Sequence, residues 1–222
     1  MSDRASFVRG VRDAIPILLP VLFFGVGFGV LALEAGLGPW LTVFTSIVVL
    51  SGAAQFTIVG LIAAGPVPTL VAVTGLALRH VPMSAALARS VAGESLRTRL
   101  RLAWVLVDET FGLALRAEHD PSIDVASYKS GADVVLLVTW IGGTIAGVLL
   151  GPVVDPDALG IGVLFPLLFL ALAVPLVRRR RDWIVAGLAV AATLVTTSVL
   201  PVAWQVTVAA VGAAVVGVFV RE

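Results

Sequence analysis

"AIPILLPVLFFGVGFGVLAL", residues 14–33, runs for 20 residues without a charge. About 20 apolar residues suffice to carry a helix across the hydrocarbon core. The run exceeds the roughly 7–15 apolar residues of a signal peptide. The basic start "MSDRASFVRGVRD" therefore reads as the lead into a retained first helix. Similar segments follow at 40–64, 66–88, 102–117, 131–150, 159–177, 183–200 and 202–220. Of 222 residues, 59% are hydrophobic and 13% charged, where soluble domains carry roughly 25% charged residues. The runs are continuous rather than alternating, which favours helices over a membrane barrel. The expected fold is all-α: a polytopic integral membrane protein, with residues 1–222 as one transmembrane domain.

Net charge is +1, so nothing draws the chain to nucleic acid. Cysteine is absent and histidine occurs twice, which removes thiol chemistry and argues against a His-rich metal centre. No cofactor is expected. The only lysine is Lys129. Gly and Pro punctuate the segments in "EAGLGPW", "AAGPVPT", "GPVVDPDALG" and "SVLPVAW". Such short connections imply antiparallel neighbours. Trp40, Trp104, Trp140, Trp183 and Trp204 fall at or near segment ends, as interfacial anchors do. Glycine recurs in "FGVGFGVLA" (24–32) and "IGGTIAGVLLG" (141–151), where small residues let helices approach closely. Both stretches lead into an acidic, Gly-rich connection, a weak sign of an internal repeat.

Arginines set the orientation. Arg4, Arg9 and Arg12 precede the first segment; Arg89, Arg97, Arg99 and Arg101 precede the fourth; Arg178, Arg179, Arg180 and Arg181 follow the sixth. Positive residues favour the cytoplasmic side. Eight simple spans would leave the 89–101 group outside. If 66–88 and 102–117 do not cross simply, every cluster and both termini lie inside. Six full spans plus two interrupted or re-entrant segments are therefore expected, with eight spans as the alternative. Irregular backbone at membrane depth is tolerated where it lines a cavity.

Polar residues mark those same segments. "LSGAAQF" holds Ser51, Gly52 and Gln55; "LRHVPMS" holds Arg79, His80 and Pro82; "VLVDETFGLAL" (105–115) holds Asp108 and Glu109. At 1.5 Å per residue, Gln55 and Arg79 lie about 15 and 20 Å from the connection near Gly65, close to mid-depth. Gly52 and Pro82 weaken helix continuity, and broken helices at mid-depth point to a transporter binding site. Arg79 suits a substrate carboxylate; Asp108, Glu109 or unwound carbonyls suit an ammonium. Ser51, Gly52, Gln55, Phe56 and Arg79 form the expected substrate set. Asp108, Glu109 and His80 are the expected proton-coupling groups. Each has a structural alternative: Gln55 bonding a neighbouring helix, His80 packing neutral, Arg79 snorkelling, the acids pairing with an arginine. Adjacent helical residues diverge by about 100°, so the two acids do not share one small site. A small organic anion would also use Arg79.

The stretches "SGAAQFTIVGLIAAG" (51–65), "LRHVPMSAALA" (78–88) and "DETFGLAL" (108–115) resemble the signature regions of the AzlC family, the large subunits of branched-chain amino acid permeases. The likeness runs over essentially the whole chain. It implies a two-component carrier in the prokaryotic cytoplasmic membrane, working with a small AzlD-type membrane subunit. It further implies export of valine, leucine, isoleucine and sometimes methionine, driven by the proton motive force. The family often has Asn at the position of Ala77 and an aliphatic residue at that of Pro82. A membrane scaffold for the small subunit is a second class of function. An enzyme is not expected: no Ser–His pair, metal motif or phosphate loop is present.

Overall fold

The computed structural model describes residues 3–153, 170, 177, 179–200, 205, 208–209, 212–213 and 215–217. Every regular element among them is a helix: α1 (Asp3–Ala14), α2 (Leu18–Glu34), α3 (Pro39–Val48), α4 (Gly52–Leu61), α5 (Pro66–Ala77), α6 (His80–Leu87), α7 (Leu96–Trp104), α8 (Asp108–Ala117), α9 (Val125–Leu150) and α10 (Arg180–Val199). The chain divides into two compact units, Met1–Phe56 with Ala77–Val154, and Thr57–Leu76 with Asp155–Glu222. Among the described residues, four helical stretches are long and apolar enough to cross a membrane: Asp3–Glu34, Pro66–Leu87, Val125–Leu150 and Arg180–Val199. The expected segments 159–177 and 202–220, with Trp204, fall almost wholly outside the described residues.

Two long helices form the spine of the first unit. A 3₁₀ turn (Ile15–Ile17) joins α1 to α2, so the first helix starts well before the apolar run. Beside it lies α9, with 26 residues. Glycines set their approach. A Cβ on Gly25 would stand 2.8 Å from the Trp140 carbonyl oxygen and 3.1 Å from Gly143 Cα. One on Gly143 would meet the Leu22 oxygen at 2.6 Å. Gly29 and Gly147 repeat the contact four residues on, each with the other's Cα at 2.9 Å. Toward the start, Gly10 rests on the Tyr128 backbone and Gly131 on that of Phe7. Contact numbers rise together along both helices, so they run parallel. The two glycine-rich stretches thus supply one G-x-x-x-G each to a single seam, the close packing expected of small residues in lipid.

Parallel packing obliges the chain to return to the first end before α9 begins. Arg9 Nη1 meets Asp120 Oδ2 at 3.0 Å, and Tyr128 Oη donates to Asp13 Oδ2 at 2.9 Å. The Asp124 amide donates to Ser6 Oγ at 3.0 Å. At this same end Ser90 Oγ hydrogen-bonds the Glu118 carboxylate. From here α7 enters, capped by Ser95, whose Oγ accepts the Thr98 amide at 3.2 Å. Arg101 Nη2 reaches Ser130 Oγ at 3.0 Å. Val105–Val107 then break the helix, and α8 runs back to Glu118. The tip faces Lys129 and Asp133, the latter about 12 Å along α9 from Val125. The expected interrupted segment 102–117 therefore lies in a helical hairpin with arms α7 and α8. Arg4, Arg9 and Arg12 share one end of the unit with the 89–101 arginines.

Segment 66–88 is one helical stretch long enough to cross, Pro66–Leu87, made irregular by the turn Leu78–Arg79 between α5 and α6. In an unbroken helix the Pro82 ring would clash with the Leu78 carbonyl. After the turn, Pro82 sits in the first turn of α6, where a missing N–H costs nothing. Segment 40–64, counted among the full spans with Gly52 as its weak point, breaks at Val49–Ser51 into α3 and α4, immediately before Gly52. Ser51 restarts the helix: its Oγ accepts the Ala54 amide at 3.4 Å. One expectation needs correction. Trp140 is no interfacial anchor. It lies mid-way along α9, 8% exposed.

In the second unit, Thr69 Oγ1 donates to the Leu61 and Gly65 carbonyls at 3.0 and 2.8 Å. The start of α10 is fixed by the Arg179 amide donating to Asp182 Oδ2 at 2.8 Å.

Candidate functional site

Three helix breaks meet at one ion pair. Arg79, in the α5–α6 turn, places Nη1 3.0 Å from Asp108 Oδ2. Asp108 is the first residue of α8, directly after the hairpin tip. Arg79 Nη2 donates to Ser51 Oγ at 3.3 Å, in the α3–α4 break. Arg79 and Asp108 side chains are 36% and 55% exposed, so the pair is reachable. Arg79 Nε is buried and has no acceptor. A guanidinium presents paired N–H groups that suit a carboxylate. The arrangement thus holds a cation, an anion and one unused donor in one place.

The other expected residues distribute around this pair. Glu109 follows on α8; its side chain is exposed and makes no ion pair among the described residues. His80 Nδ1 lies 3.0 Å from the Ala77 carbonyl. A carbonyl only accepts, so Nδ1 carries the proton.

Gln55 faces a different neighbourhood. It is fully buried (0% exposed). Its Nε2 donates to Ser46 Oγ at 3.0 Å, and its Oε1 accepts the Trp140 indole N–H at 2.8 Å. Ser46 and Thr144 hydroxyls share a 2.8 Å bond, and Thr144 Oγ1 donates to the Trp140 carbonyl at 3.0 Å. Phe28, Phe56 and Trp140 rings pack about this network with centroids 5.8–6.3 Å apart. Gly52 leaves room for the Trp140 ring, which a Cβ would approach to 2.9 Å. The structure therefore gathers Ser51, Arg79 and Asp108 in one place, and Gly52, Gln55 and Phe56 around Trp140. The first turn of α4 is the wall between the two groups.

A second charged pair escaped the sequence reading. Lys129 (1% exposed) and Asp133 (4% exposed) sit four apart on α9. Lys129 Nζ donates to both Asp133 oxygens at 2.8 Å. It also donates to the Val105 and Leu102 carbonyls, at 2.9 and 3.2 Å. These are orphan carbonyls at the broken C-terminus of α7, a favourable place for a cation. Thr110 is fully buried beneath the same tip. The available signal was the spacing in "KSGAD": a basic and an acidic residue one helical turn apart. Among the described residues, no group of three or more His, Cys, Asp or Glu side chains is placed to hold a metal ion.

No solved structure matches this chain. It is 27% identical over 211 residues to the inner membrane protein YgaZ of Escherichia coli K12, covering 90% of this chain and 85% of that protein. An uncharacterized membrane protein of Archaeoglobus fulgidus is 27% identical over 188 residues, 81% of this chain and 80% of its own length. One of Helicobacter pylori is 26% identical over 172 residues, 75% of each chain. The family model described as AzlC protein matches residues 16–154, which include all three breaks, the Arg79–Asp108 pair and the glycine seam. With more than half its length under that match, the chain belongs to the AzlC family of integral membrane proteins.

Proposed function

We propose that this protein is the carrier subunit of a secondary transporter that exports branched-chain amino acids across the prokaryotic cytoplasmic membrane, coupled to the proton motive force. The observation that carries this reading is the Arg79–Asp108 pair at the meeting of three helix breaks. A zwitterion matches a pair of opposite charges. Its carboxylate takes the exposed end of the guanidinium, and its ammonium takes Asp108. The Arg79–Asp108 contact opens to admit it, and each charge exchanges one partner for another. A proton on Asp108 removes the carboxylate charge that otherwise competes for Arg79, which links proton and substrate occupancy. Broken helices supply the hinges for alternating access, since their ends swing without breaking a regular hydrogen-bond ladder. His80 and Glu109 flank the pair and serve as secondary proton sites. The chain acts as a carrier rather than an enzyme, with a small AzlD-type subunit as its partner. The arginine-rich end of the first unit faces the cytoplasm.

Labelled-valine flux in proteoliposomes tests the reading, with and without the small subunit and with an imposed pH gradient. Gradient-dependent valine efflux that is lost in Asp108→Asn supports it. Flux of small organic anions in place of valine, or valine flux indifferent to the gradient, overturns it.

A further inference from the structure

Between α6 and α7, at the arginine-rich end, lies a cleft of about 240 Å³. One wall is a helical-spacing stripe that includes Leu87 and Val91; the facing wall on α7 carries Leu96, Arg99 and Ala103. Lys129 closes the inner end, but all its donors point to Asp133 and the hairpin carbonyls. The cleft is therefore aliphatic apart from the Ser84 hydroxyl, and its free charge is Arg99. Arg89 follows Ala88, itself in the wall. Neither arginine has an acidic partner among the described residues, and both are exposed. Orientation alone accounts for arginines at this end; it does not account for an aliphatic cleft lined by one of them and adjoining another in sequence.

We propose that this cleft binds an anionic phospholipid of the cytoplasmic leaflet, with one acyl chain between α6 and α7 and the headgroup phosphate on Arg89 and Arg99. The chemistry fits in three respects. Ligand pockets that enclose a whole small molecule measure roughly 300–1,000 Å³, so this smaller cleft suits a single chain. Apart from the Ser84 hydroxyl, its walls away from Arg99 and Lys129 are aliphatic. Basic residues beside a groove between membrane helices on the cytoplasmic side recognise anionic headgroups. Seated there, the lipid would brace α6 against the outer arm of the hairpin whose tip carries Asp108.

Native mass spectrometry of the full-length protein in detergent tests this, with phosphatidylglycerol, phosphatidylcholine and glycerol 3-phosphate as probes. One phosphatidylglycerol should be retained, at least tenfold more strongly than phosphatidylcholine. Arg89→Gln with Arg99→Gln should reduce that retention about tenfold. Ala103→Phe, which fills the cleft and leaves both arginines, should reduce it as well. Arg12→Gln, at an exposed arginine of the same end, should leave it unchanged. Equal retention of the two lipids, indifference to both variants, or displacement by glycerol 3-phosphate would overturn the proposal; the last would make this a free-phosphate site.

Discussion

Lys129 and Arg79 both hold the hairpin at its tip. Lys129 donates to the Val105 carbonyl at 2.9 Å, three residues before Asp108, which faces Arg79 at 3.0 Å. The buried pair on α9 thereby fixes where the hairpin turns, and the turn fixes where the reachable pair stands.

The buried pair should be costly to break and cheap to replace. Lys129→Met leaves Asp133 buried without its cation, a loss of about 3–5 kcal/mol. Lys129→Met combined with Asp133→Leu should lose much less, because no charge remains unpaired. Thermal unfolding of the purified protein in detergent compares the two. A double variant as unstable as the single one would show that the lysine matters through the α7 carbonyls it caps rather than through Asp133.

The glycine seam makes a positional prediction. Gly25→Val and Gly143→Val place side chains against backbone atoms of the facing helix, where even a Cβ would lie 2.6–3.1 Å from them. Neither can be accommodated without parting α2 from α9. Overpacking of this kind costs roughly 1–3 kcal/mol or more. Gly27 and Gly142 lie in the same stretches but face open space. Their alanine variants should melt within about 1 kcal/mol of the parent, since Gly→Ala in a helix is mildly favourable. Equal effects at seam and non-seam glycines would deny that the two helices meet there.

Apolar run length revealed the helical membrane class, and the arginine count singled out 102–117, which forms the α7–α8 hairpin, together with 66–88, which is long enough to cross. Gly52 and Pro82 marked two of the breaks to within a few residues, by backbone chemistry rather than hydropathy. "IVVLS" (47–51) is as hydrophobic as the helices on either side, so nothing in its hydropathy marks a stop. Arg79 and Asp108 stood out because charge in lipid demands a partner; that they pair with each other depends on tertiary contacts. Lys129 was passed over because the apolar run was drawn from 131, although α9 begins at Val125. Trp140 illustrates a chemical ambiguity: the same indole anchors at an interface or donates in a core, and only the presence of Gln55 Oε1 decides.

Gln55 and Arg79 should separate when stability and transport are measured on the same variants. Gln55→Leu removes the acceptor for the Trp140 indole and the donor to Ser46. Leaving buried polar groups unsatisfied costs about 1–3 kcal/mol. The melting temperature should fall, while the apparent KM for valine in proteoliposomes changes less than about threefold, since no substrate reaches a side chain enclosed on all sides. Arg79→Lys should do the reverse. It keeps the charge and the pairing with Asp108 but gives up the planar fork. Stability should hold within about 1 kcal/mol, because the pair is partly exposed and such pairs contribute little. The apparent KM should rise about tenfold or more, equivalent to about 1.4 kcal/mol of lost substrate binding. If Gln55→Leu raises KM as much as Arg79→Lys at unchanged stability, the substrate contacts the Trp140 side of α4, and the Arg79–Asp108 pair is a structural strut.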